Sequence, residues 1–219
     1  MERNINIEEI SDGKKYHAND LVKIGCNDCR GCYSCCVGMK GLITLDPYDI
    51  YRMLSNPMWN GEDFNSLLNK YIELTVDRGL LIPTLMMDEE RGECLLLRED
   101  KRCSIHDYRS GVCRLFPLGR LYEEGSFYYF LQKDECSYKE KSKVKIKNWM
   151  STPEFSKYEQ YISDWHYFTR EIQDYFASAG EEEVKQINMV LLKIFYMTGY
   201  ETDFYEEFYA RLKKVKDLL

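Results

Sequence analysis

The chain has 219 residues, 44% of them hydrophobic, 31% charged and 14% aromatic, with a formal net charge of −7 and nine cysteines. A chain this long buries roughly 70% of the surface its unfolded form exposes, so it needs neither metal nor disulfides merely to fold, and its aromatic content argues against disorder. The acidic balance argues against nucleic-acid binding, because phosphate recognition wants a basic face, and no apolar run approaches the ~20 residues of a membrane-spanning helix.

The N-terminal stretch MERNINIEEISDGKK is polar, without the apolar core of a signal peptide. The expected location is therefore the cytoplasm, with no membrane contact. Thiols stay reduced there, so nine Cys, an odd number, point to metal binding or redox chemistry and not to a disulfide frame. All nine lie between Cys26 and Cys136. That shift in composition divides the chain into a cysteine-cluster metal-binding domain over 1–150 and a helical C-terminal region over 151–219.

The run CNDCRGCYSCC opens the Cys-rich part, with Gly25 and Gly31 expected to give its loop backbone freedom. Asp46-Pro47 then starts a helix: Asp46 caps, Pro47 fits the first turn, Asp49 suits the positive end, and Ile50, Met53 and Leu54 supply an apolar face. A second helix is expected over 63–70. Strands are expected over 71–76, 80–87, 94–97, 121–122 and 127–131, divided by turn signals at Asp77-Arg78-Gly79, Arg91-Gly92 and Glu123-Glu124-Gly125. They make one or two hairpins, with no βαβ rhythm. The basic run 139–147, KEKSKVKIK, reads as a solvated helix or strand edge.

The rest is helical. Thr152-Pro153 resembles a cap and first turn, after which Phe155, Ile162, Trp165, Phe168, Ile172 and Phe176 follow helical spacing. Gly180 interrupts, and Val184, Ile187, Leu191 and Ile194 begin a new stripe ending near Gly199. Asp203 with Glu206 resembles a capping box for a last helix through Phe204, Phe208, Leu212, Val215 and Leu219. These stripes read as core. The fold class is α+β: a small Cys-rich domain of short helices and antiparallel hairpins around a metal centre, with a C-terminal helical region.

Cys26, Cys29, Cys32, Cys35 and Cys36 are spaced C-x2-C-x2-C-x2-C-C. Two intervening residues let a tight loop aim neighbouring sulfurs at one point, as zinc and iron–sulfur sites require. Adjacent Cys35 and Cys36 diverge, and suit two irons of one cluster or two different centres. Cys94, Cys103, Cys113 and Cys136 can meet only through tertiary structure. Nine thiols fit one four-ligand centre with five to spare or two with one to spare, and thiolates suit zinc, Cu(I) and iron–sulfur alike. Cys26, Cys29, Cys32 and Cys36 match the bacterial ferredoxin spacing, although Val37 replaces its usual Pro. The C-x3-C-x2-C run of radical S-adenosylmethionine enzymes is missing, because Met39 stands where its third Cys belongs. His106, three residues after Cys103, and Arg114, next to Cys113, are secondary candidates for a ligand and an anion or sulfur contact; each is more simply structural. His17 and His166 are read as incidental. The sequence has no Gly-rich nucleotide loop, G-x-S-x-G or paired-carboxylate signature, and the catalytic residues are left unassigned.

CRGCYSCC, LDPYDIYRM, GEC, RCSIHDYRSGVCRLFP and DEC, in that order across about 20–140, closely resemble the YkgJ-type cysteine-cluster family, a CxxCxxCC zinc- or iron-chelating domain that also occurs in flagellin lysine N-methylase. The resemblance puts the signature on Cys29, Cys32, Cys35 and Cys36 and the later family thiols on Cys94, Cys103, Cys113 and Cys136. Cys26 extends the signature, and its replacement is expected to cost less metal than that of Cys29, Cys32 or Cys35. The family's usual Arg-Pro is Arg109-Ser110 here, which implies a less rigid turn. The implied cofactor is an iron–sulfur cluster (4Fe-4S, one or two) or zinc. The implied role is electron transfer, metal handling or protein modification, with a protein partner or substrate that the residues do not name. The alternatives are a flagellin lysine N-methylase-like protein methyltransferase, for which no S-adenosylmethionine pocket is visible, and a structural zinc module.

Overall fold

The computed structural model describes residues 7–27 and 32–218, except for the side chain of Glu8. It is α+β, with a C-terminal helical region. A short α1 (Ile7–Ile10) precedes β1 (Leu21–Gly25), and α2 (Pro47–Leu54) and α3 (Phe64–Leu67) lead into the hairpin of β2 (Ile72–Asp77) and β3 (Leu80–Leu85). A second hairpin, β4 (Leu118–Glu123) and β5 (Ser126–Leu131), follows α4 (Gly111–Leu115), and β6 (Ser142–Lys145) runs directly into α5 (Ile146–Met150). The chain ends in α6 (Phe155–Phe176), α7 (Glu181–Leu192), a π-helical turn over Lys193–Met197, and α8 (Phe204–Lys216).

The two hairpins form where the turn signals predict them, and both are antiparallel. A third pair joins β1 to β6 with Leu21 opposite Lys145 and Gly25 opposite Ser142. No turn signal marks this pair, because its partners are far apart in sequence; half of it lies inside the basic run. Gly25 serves close approach and not loop freedom, since a Cβ there would stand 2.2 Å from Ser142 Oγ. Gly31 lies outside the described residues.

Three expectations are corrected. Residues 94–97 form a turn, with the Leu97 N–H donating to the Cys94 carbonyl at 2.9 Å, and only an isolated bridge pairs Cys94 with Met87. The 63–70 helix is cut to Phe64–Leu67, because Leu68 is already extended at ψ 137°. The long helix begins at Phe155 and not at 153: Ser151 and Glu154 are both left-handed (φ 45° and 48°), so the chain turns twice before it can coil.

One apolar core runs from Val22 to Val215 and takes in side chains of both the Cys-rich part and the helices. Polar side chains of the helices fasten the β2–β3 hairpin. Asn188 on α7 accepts from the Leu81 N–H at 2.7 Å and donates to the Gly79 carbonyl at 2.8 Å, and Gln173 on α6 donates to the Asp77 carbonyl at 3.0 Å. Among the described residues no helix is long and apolar enough to cross a membrane.

The start of α2 is a buried point where several elements are hydrogen-bonded together. Asp46 and Asp49 form a reciprocal capping box, with the Asp49 N–H donating to Asp46 Oδ1 at 2.9 Å and the Asp46 N–H to Asp49 Oδ2 at 3.3 Å. Asp49 is only 1% exposed. Its Oδ1 also accepts from the Gly111 N–H at 2.6 Å, at the first residue of α4, and faces Arg114 at 3.6 Å. Tyr161 of α6 donates to Asp46 at 3.0 Å and accepts from the Tyr48 N–H at 3.1 Å. Gly111 must be Gly, since a Cβ would meet Tyr158 Oη at 2.6 Å.

Burial first, then the neighbouring Asp46, pushes the Asp49 carboxyl up to about 7. An unfolded Asp titrates near ~3.9, so this group's contribution to stability is full below about pH 4 and is lost as pH rises through the folded value. Stability of the wild type relative to Asp49→Asn should therefore fall between about pH 4 and pH 7 in denaturant titrations. A difference between the two that stays constant across that range would contradict the assignment.

Candidate metal centre

The segment after β1 carries the first thiols. Cys29 lies outside the described residues. Cys35 and Cys36 sit on a 3₁₀ turn, Ser34–Cys36, that leads into an isolated bridge between Val37 and Glu93. The Cys94 N–H donates to the Cys36 carbonyl at 2.8 Å, and the Gly38 N–H donates to the Gly92 carbonyl at 2.9 Å. These bonds lay the signature loop along the GEC segment. Cys103 joins by its own bridge to Leu97, reinforced by the Ser104 N–H donating to the Leu96 carbonyl at 2.8 Å. Cys113 arrives on α4, where the Ser110 hydroxyl caps the helix by accepting from the Cys113 N–H at 3.4 Å. Ser110 thus fastens the turn that leads into α4.

Cys35, Cys36, Cys94, Cys103 and Cys113 are close enough to act on one another as charges. Cys36 responds to Cys35, Cys113 and Cys94; Cys113 responds to Cys103, Cys35 and Cys94; and Cys94 and Cys103 both respond to Cys35. Cys136 instead responds to Cys26 and Cys32, so it does not join this group.

The protons are unevenly held. A hydrogen bond from the Cys36 thiol, helped by the Arg109 charge, outweighs burial and brings Cys35 down to about 7. Cys36 is held up in turn, by that bond and by burial. Burial pushes Cys94 up to about 11 and Cys113 up to about 12, and raises Cys103. In the metal-free protein Cys35 is therefore the most readily deprotonated of the five, and loading a metal there would release protons.

Among the described residues no three His, Cys, Asp or Glu side chains are already set to hold a metal ion. The five thiols are gathered but do not form a finished cage. They nonetheless suit a soft metal: all are sulfur donors, and Arg109 Nε is buried without a hydrogen-bond partner beside them. A guanidinium there offers both positive charge and a donor to a thiolate-rich anionic centre. Arg109 was not singled out by the sequence. Its signals were its place between two motif cysteines, Cys103 and Cys113, and its position in the altered Arg-Pro pair.

The other candidates take structural places. Arg114 turns away from sulfur to pair with Asp49, between the rings of Tyr48 and Tyr158 at 6.0 and 5.6 Å, and donates to the Arg109 carbonyl. His106 Nδ1 lies 3.5 Å from Asp107. His166 stacks on Tyr122 with ring centroids 3.5 Å apart, and His17 meets Tyr128 edge-on. A cavity of about 750 Å³ runs from Cys35 and Cys113 past Asp46, Asp49 and Arg120 to Trp165.

An α+β chain whose loops gather thiols beside an arginine with a buried Nε has the form of a thiolate metal-binding protein. The chain belongs to the CxxCxxCC family, described as "putative zinc- or iron-chelating domain", whose model matches residues 28–143. That description supports metal binding in general. Neither a curated protein nor a solved structure matches the chain.

The pattern of protonation can be tested directly. Brief alkylation of reduced, metal-free protein should label Cys35 ahead of Cys94 and Cys113, with a rate that half-titrates near pH 7 when mapped by mass spectrometry. Labelling of Cys94 or Cys113 first would contradict it.

Proposed function

We propose that this protein binds an iron–sulfur centre through Cys35 or Cys36 together with Cys94, Cys103 and Cys113, and that it serves electron transfer or metal handling. The observation that carries the reading is the gathering of these thiols, remote in sequence, by direct backbone bonds such as that from Cys94 to Cys36 at 2.8 Å. More thiols than a single four-coordinate ion uses, with the Arg109 cation beside them, suit a polynuclear centre of net negative charge better than one zinc. Such a centre supplies one-electron storage. The chain's own contribution is to exclude water from Cys94 and Cys113, to offer Cys35 as a ready thiolate, and to direct Arg109 at the sulfur group.

A second reading, an enzyme that modifies protein lysine, draws on the cavity that leads from Cys35 to the carboxylates Asp46 and Asp49. Asp46 and Asp49 offer carboxyl oxygens to a substrate amine there. Calorimetry separates the two readings: saturable S-adenosylmethionine binding would favour modification, and its absence favours the first.

The main reading is tested by anaerobic purification after expression with ample iron and sulfur. The expected product is brown, with iron and acid-labile sulfide, and Cys94→Ser combined with Cys113→Ser should lose most of both, since a hydroxyl is a poor soft-metal ligand. Stoichiometric zinc without iron would overturn the iron–sulfur reading and leave a structural zinc module.

A further inference from the structure

Arg120, on β4, lines the cavity of about 750 Å³ and is the only Lys or Arg among its described lining residues. Its Nη2 donates to Tyr158 Oη at 3.1 Å, and its guanidinium lies 5.5, 6.0 and 5.6 Å from the ring centres of Phe127, Tyr129 and Tyr158. Its Nε is buried without a hydrogen-bond partner. Arg120 acts as a charge on Asp46 and Glu159, yet among the described residues no carboxylate is ion-paired with it. Both acids are engaged elsewhere: Asp46 accepts from the Asp49 N–H and from Tyr161, and Glu159 accepts from Tyr129 Oη at 3.0 Å. A guanidinium held in this way has charge and N–H donors to spare, and a cation kept from water is costly until an anion bonds to it.

The cavity has the size of a small-molecule site, which typically runs from about 300 to 1,000 Å³. Ile82 of β3, Ile162 and Trp165 of α6, and Leu192 of α7 give it an apolar wall. An apolar body with one anionic group matches that combination. We propose that the cavity binds a small apolar carboxylic acid, with its carboxylate on Arg120 and its hydrocarbon part against these side chains. The planar donor fork of a guanidinium fits a carboxylate. A doubly charged phosphate fits less well, because Asp46 and Asp49 line the same cavity. The site uses no metal and so stands or falls apart from the thiol centre. It also differs from a site for substrate lysine, which would engage the two aspartates and leave Arg120 idle.

The test is calorimetric titration of the full chain, as purified, with decanoate, decanol and decylamine. Wild type should bind decanoate saturably and roughly tenfold more tightly than decanol, the margin a charge-assisted hydrogen bond adds. Arg120→Gln should erase that margin and keep the affinity for decanol, which doubles as its folding control. Ile82→Trp, which fills the cavity and leaves Arg120 in place, should weaken decanoate by a similar factor. Where Arg120→Gln does not fold, decanoate against decanol on wild type decides the head group, and Ile82→Trp decides the cavity. Equal affinity for decanoate and decanol overturns the pairing of a carboxylate with Arg120. Tightest binding of decylamine also overturns it, in favour of the two aspartates. No saturable binding of decanoate, or undiminished binding by Ile82→Trp, overturns the site.

Discussion

The hydrogen bond from the Gly111 N–H to Asp49, 2.6 Å long and sealed from water, holds together elements that would otherwise have no reason to meet. It joins the capped start of α2 to the first residue of α4, two residues before Cys113. Arg114, one residue further on, faces the same carboxylate between two tyrosine rings. Removing either partner of the Gly111–Asp49 bond would leave a buried polar group unsatisfied, at a cost of about 1–3 kcal/mol. Tyr161 extends the network to α6, so the C-terminal helices help to set the position of a thiol far from them in sequence.

That arrangement explains why a chain with an ample core still gathers its cysteines on short, irregular segments. The helices and hairpins supply rigidity, and the thiol-bearing loops are fastened to them by a few backbone bonds. Cys94 is tied to Cys36, Cys103 bridges Leu97, and Cys113 rides on a five-residue helix capped by Ser110. Loops held this way keep thiols close without closing a finished cage, and so leave room for the adjustment that metal uptake needs. The uneven protonation fits the same picture. Burial keeps Cys94 and Cys113 neutral, whereas the Cys36 bond and Arg109 give Cys35 a charge at little cost.

Much of the frame was legible in the residues. Asp46-Pro47, the Asp77-Arg78-Gly79 and Glu123-Glu124-Gly125 turns, and the apolar stripes of the last helices all act locally, and the structure has the elements they announce. What was hidden depends on tertiary approach. The pairing of β1 with β6 has no local signal, and its tight spot at Gly25 looks in sequence like a flexible loop residue. Arg114 sits beside a cysteine yet pairs with a carboxylate on another helix, while Arg109, which acts on Cys35 and Cys103, entered only as half of an altered Arg-Pro pair. Asp49 resembles an ordinary first-turn acid until α4 closes over it. For the cysteines, the signature marked the type of chemistry, and only the folded chain separates Cys136 from Cys94, Cys103 and Cys113.

The most direct measurement is an anomalous diffraction experiment at the absorption edge of the metal bound by the purified protein. The expected result is a metal peak among Cys35, Cys36, Cys94, Cys103 and Cys113, with sulfurs of at least three of them at about 2.3 Å. A protein whose metal lies elsewhere, with Cys94, Cys103 and Cys113 all uncoordinated, would contradict the assignment of these thiols as the metal centre.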